Sequence, residues 1–230
     1  MLGNILITGG ASGLGEATAE AVAKAGGRPL VIDVKAPDAA RLGAVDHVLA
    51  DLADREEAER AVRELAQRAG GLDGVVTAAG IDACGPLSEV EPERWDRVIK
   101  VNLIGTASVI RAALPYLKAS GGKVVTCAST LGLRAVSDAT AYCASKFGVV
   151  GFTRALAAEL AGQVGVTMLV PGGMQTHFFD GRDEQYMPGP DAHLNQPEDV
   201  AETIVFALSR PHGCEVRELV VCPSTETSWP

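Results

Sequence analysis

The chain has 230 residues, 47% of them hydrophobic and 21% charged, enough apolar length for one large core and the wrong balance for a disordered chain. A net charge of −9 and a pI near 4.9 argue against nucleic-acid or anionic-membrane partners, which require clustered Lys and Arg. Five scattered cysteines without a C-x-x-C pair and four isolated histidines argue against a disulfide framework or a bound metal and suit a reducing cytoplasm. The opening MLGNILITGG lacks a basic n-region and a cleavage site, and no later stretch is expected to span a membrane.

Apolar runs of strand length alternate with segments of helical length, the order expected of β-α-β units in a doubly wound parallel sheet. The spacing predicts seven strands, at 3–8, 29–33, 46–50, 73–78, 122–128, 164–170 and 216–221. Helices are predicted at 13–25, 54–69, 92–118, 138–161 and 197–208, with an irregular crossover near 36–42. The pairs Gly26–Gly27, Gly70–Gly71 and Gly121–Gly122 close the first three helices. Ser137 or Asp138 is placed to cap the fourth. No linker or low-complexity tract divides the chain, so one domain over 1–230 is expected.

After the first strand comes TGGASGLGEATAEAVAKAGG, with Gly9, Ser12, Gly13, Leu14 and Gly15 at the start of a small-residue helix. Free amides and the helix dipole at such a turn favour a diphosphate, and glycines let it approach the backbone. The second strand ends in Asp33, where a carboxylate can accept hydrogen bonds from both adenosine ribose hydroxyls. Its charge about 4 Å from a 2′-phosphate costs roughly 1 to 4 kcal/mol, which favours NAD over NADP, although Lys35 nearby softens the effect.

The T-G-x-x-x-G-x-G spacing from Thr8 resembles the short-chain dehydrogenase/reductase family, whose marks recur in order along nearly the whole chain. The resemblance implies a Rossmann fold and a nicotinamide cofactor. Asp51 matches the acidic residue near the adenine, and it is equally readable as the N-cap of the next helix. Where the family has Asn-Asn-Ala-Gly, this chain reads Thr77-Ala78-Ala79-Gly80, losing an amide expected to tie the cofactor loop to the sheet. Pro171, Gly172 and Thr176 match the P-G-x-x-x-T loop, with the Thr176 side chain and the Met174 backbone as nicotinamide contacts.

Tyr142 and Lys146 are four apart on a predicted helix and share a face. A tyrosine that removes a proton from an alcohol at neutral pH must have its pKa lowered by about three units, and a lysine cation and a bound nicotinamide ring both stabilise the phenolate. By resemblance Lys146 also holds the nicotinamide ribose, and Ser129 is the serine that polarises the substrate oxygen. Asn102 matches the asparagine that holds a proton-relay water against Lys146. The non-catalytic readings are a strand-end cap for Ser129 and a helix–helix hydrogen bond for Asn102.

The resulting expectation is an NAD-dependent dehydrogenase acting on a secondary alcohol or ketone. The alternatives are a 3-oxoacyl thioester reductase, with Arg94, Arg97 and Lys100 as a patch for an acidic carrier, or a non-catalytic NAD-sensing protein. Leu131, Leu133, Phe178, Phe179 and Met187 are available to line an apolar substrate pocket. The apolar faces of the 92–118 and 138–161 helices predict a homotetramer. The polar tail, with Trp229, is expected to dock on a neighbouring subunit or to fray.

Overall fold

Strand β1 (Asn4–Thr8) is buried from Ile5 to Thr8, as a parallel strand covered on both faces must be. Around it a computed structural model, which describes residues 2–228, arranges seven strands in the order β3-β2-β1-β4-β5-β6-β7, all parallel. The others are β2 (Arg28–Asp33), β3 (Asp46–Leu49), β4 (Gly74–Thr77), β5 (Lys123–Cys127), β6 (Gly165–Pro171) and β7 (Glu218–Val221). Helices α1 (Gly13–Lys24), α2 (Ala39–Leu42), α3 (Arg55–Ala69), α4 (Pro92–Ile99), α5 (Thr106–Ser120), α6 (Thr140–Glu159) and α7 (Pro197–Leu208) connect them.

Alternate strand residues feed two cores. Leu6, Leu30, Ile32, Val75 and Val124 pack against α3 and α5, while Ile5, Ile7, Val31, Val76 and Val125 pack against α1 and α7. The sheet thus carries helices on both faces, as the sequence predicts. Strand order reverses between β1 and β4, and an open crevice for ligands is expected at the carboxyl ends there.

Local chemistry explains most boundaries. Asp54 caps α3 by accepting from the Glu56 and Glu57 N–H groups, and Gly70, in left-handed geometry, ends it. The predicted cap of α6 is corrected. Its N-cap is Ala139, with no side-chain bond, because Asp138 turns away at φ 58° and its carboxylate accepts from the Tyr186 hydroxyl at 3.3 Å.

The predicted 92–118 helix runs from Pro92 to Ser120 with a π-helical segment, Lys100–Gly105, inside it. By length and composition it is apolar enough to cross a membrane, yet half of its apolar window is buried within the protein. Helix α6 also buries more than its composition suggests: Val149, Val150 and Leu156 are covered, as is Leu160 at its C-cap, and of its large apolar side chains Phe147 is the one most exposed.

Candidate active site

The carboxyl ends of the strands open into a cleft of about 1050 Å³. Every residue read above as a cofactor contact lines it, and so does Ser129. Asn102 does not, because it stands behind the wall.

The glycine turn is built for close approach. A Cβ on Gly9, which has φ +72°, would lie 2.8 Å from the Ala79 Cα, and one on Gly15 would lie 2.1 Å from the Gly9 carbonyl oxygen. Ser12 makes no side-chain cap, so the first amides of α1 are left for another acceptor. Asp33 holds the turn, accepting from the Ala11 N–H at 3.0 Å and the Lys35 N–H at 3.1 Å. A dinucleotide fits these features.

Asp51 lies on the cleft wall, and it is not the α3 cap. It accepts from the Ala53 N–H at 2.9 Å and pairs with Arg97 at 2.9 Å. Burial pushes its carboxyl up, but the Ala53 bond and Arg97 outweigh this and hold it below the ordinary range. Arg97 is therefore already paired, which leaves Arg94 and Lys100 of the expected basic patch.

The loop after β4 is tied without the missing amide. The Ala79 N–H donates to the Thr8 hydroxyl at 3.3 Å, and Asn102 clamps Ile81 from both sides. Its Oδ1 accepts from the Ile81 N–H and its Nδ2 donates to the Ile81 carbonyl, each at 2.9 Å. The same Nδ2 reaches the Ser145 hydroxyl at 3.0 Å, and that hydroxyl donates to the Tyr142 carbonyl at 2.8 Å. The π segment gives this mid-helix asparagine its place, as π-bulges often do at functional sites.

Ser129 follows β5, and its hydroxyl accepts from the Leu131 N–H at 3.1 Å. One turn apart on α6, the Lys146 Nζ lies 5.5 Å from the Tyr142 ring centre and donates to the Cys127 carbonyl at 2.8 Å. Burial lowers the Lys146 pKa. Burial also pushes the Tyr142 phenol above its ordinary value, with Cys127 and Asp82 adding to this and Ser129 and Arg182 opposing it. In the protein by itself the phenol form of Tyr142 is thus favoured over the phenolate.

Met174 bridges to Asn195 after β6, and Thr176 caps the His177–Phe179 turn through the Phe178 N–H at 3.3 Å. Leu131, Phe178 and Phe179 line the cleft as expected. Leu133 and Met187 do not: Leu133 packs with Ala128, Val149 and Met168, and Met187 is turned to solvent.

Sequence reasoning missed three contributors. The tail folds back on its own site, where Glu226 accepts from the Gly173 N–H at 3.1 Å and the Ser228 hydroxyl donates to the Thr130 hydroxyl at 2.7 Å. This corrects the fraying alternative for 225–228, while Trp229 lies outside the described residues. Asp82 and Arg182 also meet in the cleft, 100 positions apart. No local pattern announces any of these contacts.

The fold and cleft define a doubly wound α/β protein built to hold a dinucleotide at the switch point of its sheet. The family model described as short chain dehydrogenase matches residues 3–187, and the chain belongs to that family of oxidoreductases. It is 33% identical over 219 residues to a 3-oxoacyl-acyl-carrier-protein reductase of Thermotoga maritima, covering 89% of each. It is 34% identical over 220 residues to a D-threitol dehydrogenase of Mycolicibacterium smegmatis, covering 89% of this chain and 85% of that one. An alcohol dehydrogenase of Thermococcus sibiricus, solved in complex with 5-hydroxy-NADP, superposes with a TM-score of 0.85 at 25% identity and 96% coverage of both.

Proposed function

We propose that the chain is an NAD-dependent oxidoreductase that interconverts a secondary alcohol and its ketone, working as one dinucleotide-binding and catalytic domain. The observation that carries this is the convergence of Ser129, Tyr142 and Lys146 on the same cleft as the glycine turn and Asp33. The turn would hold the diphosphate, Asp33 the adenosine ribose and Asp51 the adenine side. Tyr142 and Lys146 would hold the nicotinamide ribose, and Met174 and Thr176 the carboxamide. The chemistry that a nicotinamide held there would supply is hydride transfer to or from the carbinol carbon.

Ser129 orients the substrate oxygen and stabilises its developing charge. Tyr142 delivers a proton to that oxygen in reduction and accepts one in oxidation. Lys146, within 5.5 Å of the ring, favours the phenolate when oxidation is required. Asn102 acts through position, supporting proton exchange beside Lys146 by fixing Ile81 and Ser145. Tyr142→Phe should abolish nicotinamide-linked turnover and leave most NAD binding, measured by calorimetry, intact. Turnover at the parent rate would sink the assignment.

A second reading, 3-oxoacyl thioester reductase, is favoured by the Thermotoga relative. Comparing acetoacetyl thioester reduction with oxidation of simple alcohols separates the two. For assembly we read a homotetramer, supported by Phe147 standing exposed at 44% beside Ala144 and Gly151 on the outer face of α6; for location we read the cytoplasm, which the free cysteines suit.

A further inference from the structure

One partly buried charged pair in the cleft has no role in that mechanism beyond its influence on the Tyr142 phenol. Asp82, in the loop after β4, and Arg182, beyond the His177–Phe179 turn, meet at 2.9 Å with side chains only 8% and 15% exposed. Asp82 also accepts from the Ala83 N–H at 2.7 Å and from the Cys84 thiol at 3.2 Å. Burial and this carboxylate push the Cys84 thiol up to about 11, so it is a donor here and no nucleophile. The Arg182 guanidinium lies against the Phe178 and Phe179 rings, 4.8 and 4.7 Å from their centres. Phe178 in turn packs on Tyr142 at 5.5 Å. A single ring therefore separates the ion pair from the phenol.

Such a pair is a weak stabiliser, because removing both charges from water offsets most of their attraction. It is a strong donor–acceptor set. Arg182 has five N–H donors, and among the described residues only its Nη2 meets an acceptor, on Asp82. Arg182 and Asp82 both line the cleft, where a bound group can reach the ion pair.

Three classes of substrate can be weighed against this. An apolar chain would cover those donors and leave them unpaired. An anion would meet the Asp82 carboxylate beside Arg182 in a chain of net charge −9. A hydroxyl can accept from the guanidinium and donate to the carboxylate at once, leaving neither ion unpaired. We infer that Asp82 and Arg182 read hydroxyl groups, so that the substrate is a neutral polyhydroxylated alcohol or its ketone. One hydroxyl is placed at Tyr142 and another, farther along the substrate, on the ion pair. This rests on the oxidoreductase reading above and narrows its substrate.

The test is kcat/KM for 2-butanol, 2,3-butanediol, erythritol and 3-hydroxybutyrate, with the better of NAD and NADP, in the parent protein and in Arg182→Met, Asp82→Asn and Tyr142→Phe. Values should climb from 2-butanol to erythritol by roughly 10- to 150-fold, the range for hydrogen bonds to charged groups. In Arg182→Met the erythritol-to-butanol ratio should collapse toward one, mainly through KM. Asp82→Asn, which keeps the shape and frees the guanidinium charge, should raise 3-hydroxybutyrate relative to erythritol, and it serves as the test if Arg182→Met melts early. A flat ladder, a parent preference for 3-hydroxybutyrate, or a ratio unmoved in both variants overturns the inference while Tyr142-dependent turnover leaves the oxidoreductase reading standing. Absence of turnover on every substrate, or turnover that survives Tyr142→Phe, overturns both.

Discussion

Asp33 offers the sharpest test of cofactor choice. Its two carboxylate oxygens are fixed by the Ala11 and Lys35 N–H groups at 3.0 and 3.1 Å, and each keeps a lone pair for a ribose hydroxyl. A 2′-phosphate about 4 Å away would meet the negative charge at a cost of about 1 kcal/mol in water and about 4 kcal/mol at an effective dielectric of 20. Asp33 is half-buried, so a middle value of about 2 kcal/mol, or roughly thirtyfold, is expected. Asp33→Asn keeps the shape, removes the charge and forfeits one of the two backbone bonds, since an amide offers one acceptor. The ratio of kcat/KM for NAD over NADP should fall about thirtyfold, largely through KM. Because the effect is Coulombic, raising salt from about 0.05 to 0.5 M should lower the parent ratio and leave that of the variant flat. A parent enzyme that prefers NADP, or a ratio that moves less than threefold, would refute the argument.

Other outcomes follow from particular contacts. Asn102→Ala strands the Ile81 N–H and carbonyl in a partly buried site, costing about 1 to 3 kcal/mol and lowering Tm by roughly 2 to 12 °C; a melt within about 1 °C of the parent would show that the clamp is dispensable. Burial raises the Glu226 pKa, but its bonds from Ser228, Gly173 and Thr227 outweigh this and bring it below the ordinary 4.5. Its hold on the Gly173 loop is therefore complete above 4.5 and lost as pH falls through the lowered value. Hydrogen exchange across 171–176 should rise in that acid window and should already be raised at neutral pH in Glu226→Gln; equal protection in both proteins would contradict the docked tail. Phe147→Asp should shift a tetramer to smaller species in light scattering, and an unchanged mass would place the contact elsewhere.

Periodicity and turn chemistry made the sheet legible because they are local properties. The buried run at Ile5–Thr8, the glycines before α1 and the four-residue spacing of Tyr142 and Lys146 each report their surroundings within one turn or strand. The start of α6 was not legible, since the carboxylate of Asp138 serves Tyr186, 48 residues away, and makes no cap. The same holds for Asp82 with Arg182 and for Ser228 with Thr130, which only the sheet topology brings together. The direction of the Tyr142 shift was hidden for another reason. Composition shows the lysine that favours phenolate, but not the burial that opposes it more strongly.

At Ala78 the chain departs from the family pattern, and other residues tie the loop. The loop that borders the cleft after β4 lacks the asparagine expected from its relatives, and Ala78 offers no amide to tie it. Asn102, within the π segment, supplies both a donor and an acceptor to Ile81, three residues beyond Ala78. Its second amide bond continues through Ser145 to the Tyr142 carbonyl, so one buried side chain sets the cofactor loop and the first turn of α6 against each other. Gly80 lies between them, where a Cβ would sit 3.6 Å from the Lys146 Nζ and 3.7 Å from the Asn102 Oδ1. Positions of the cofactor loop, the lysine and the tyrosine are thereby coupled through a network of backbone partners.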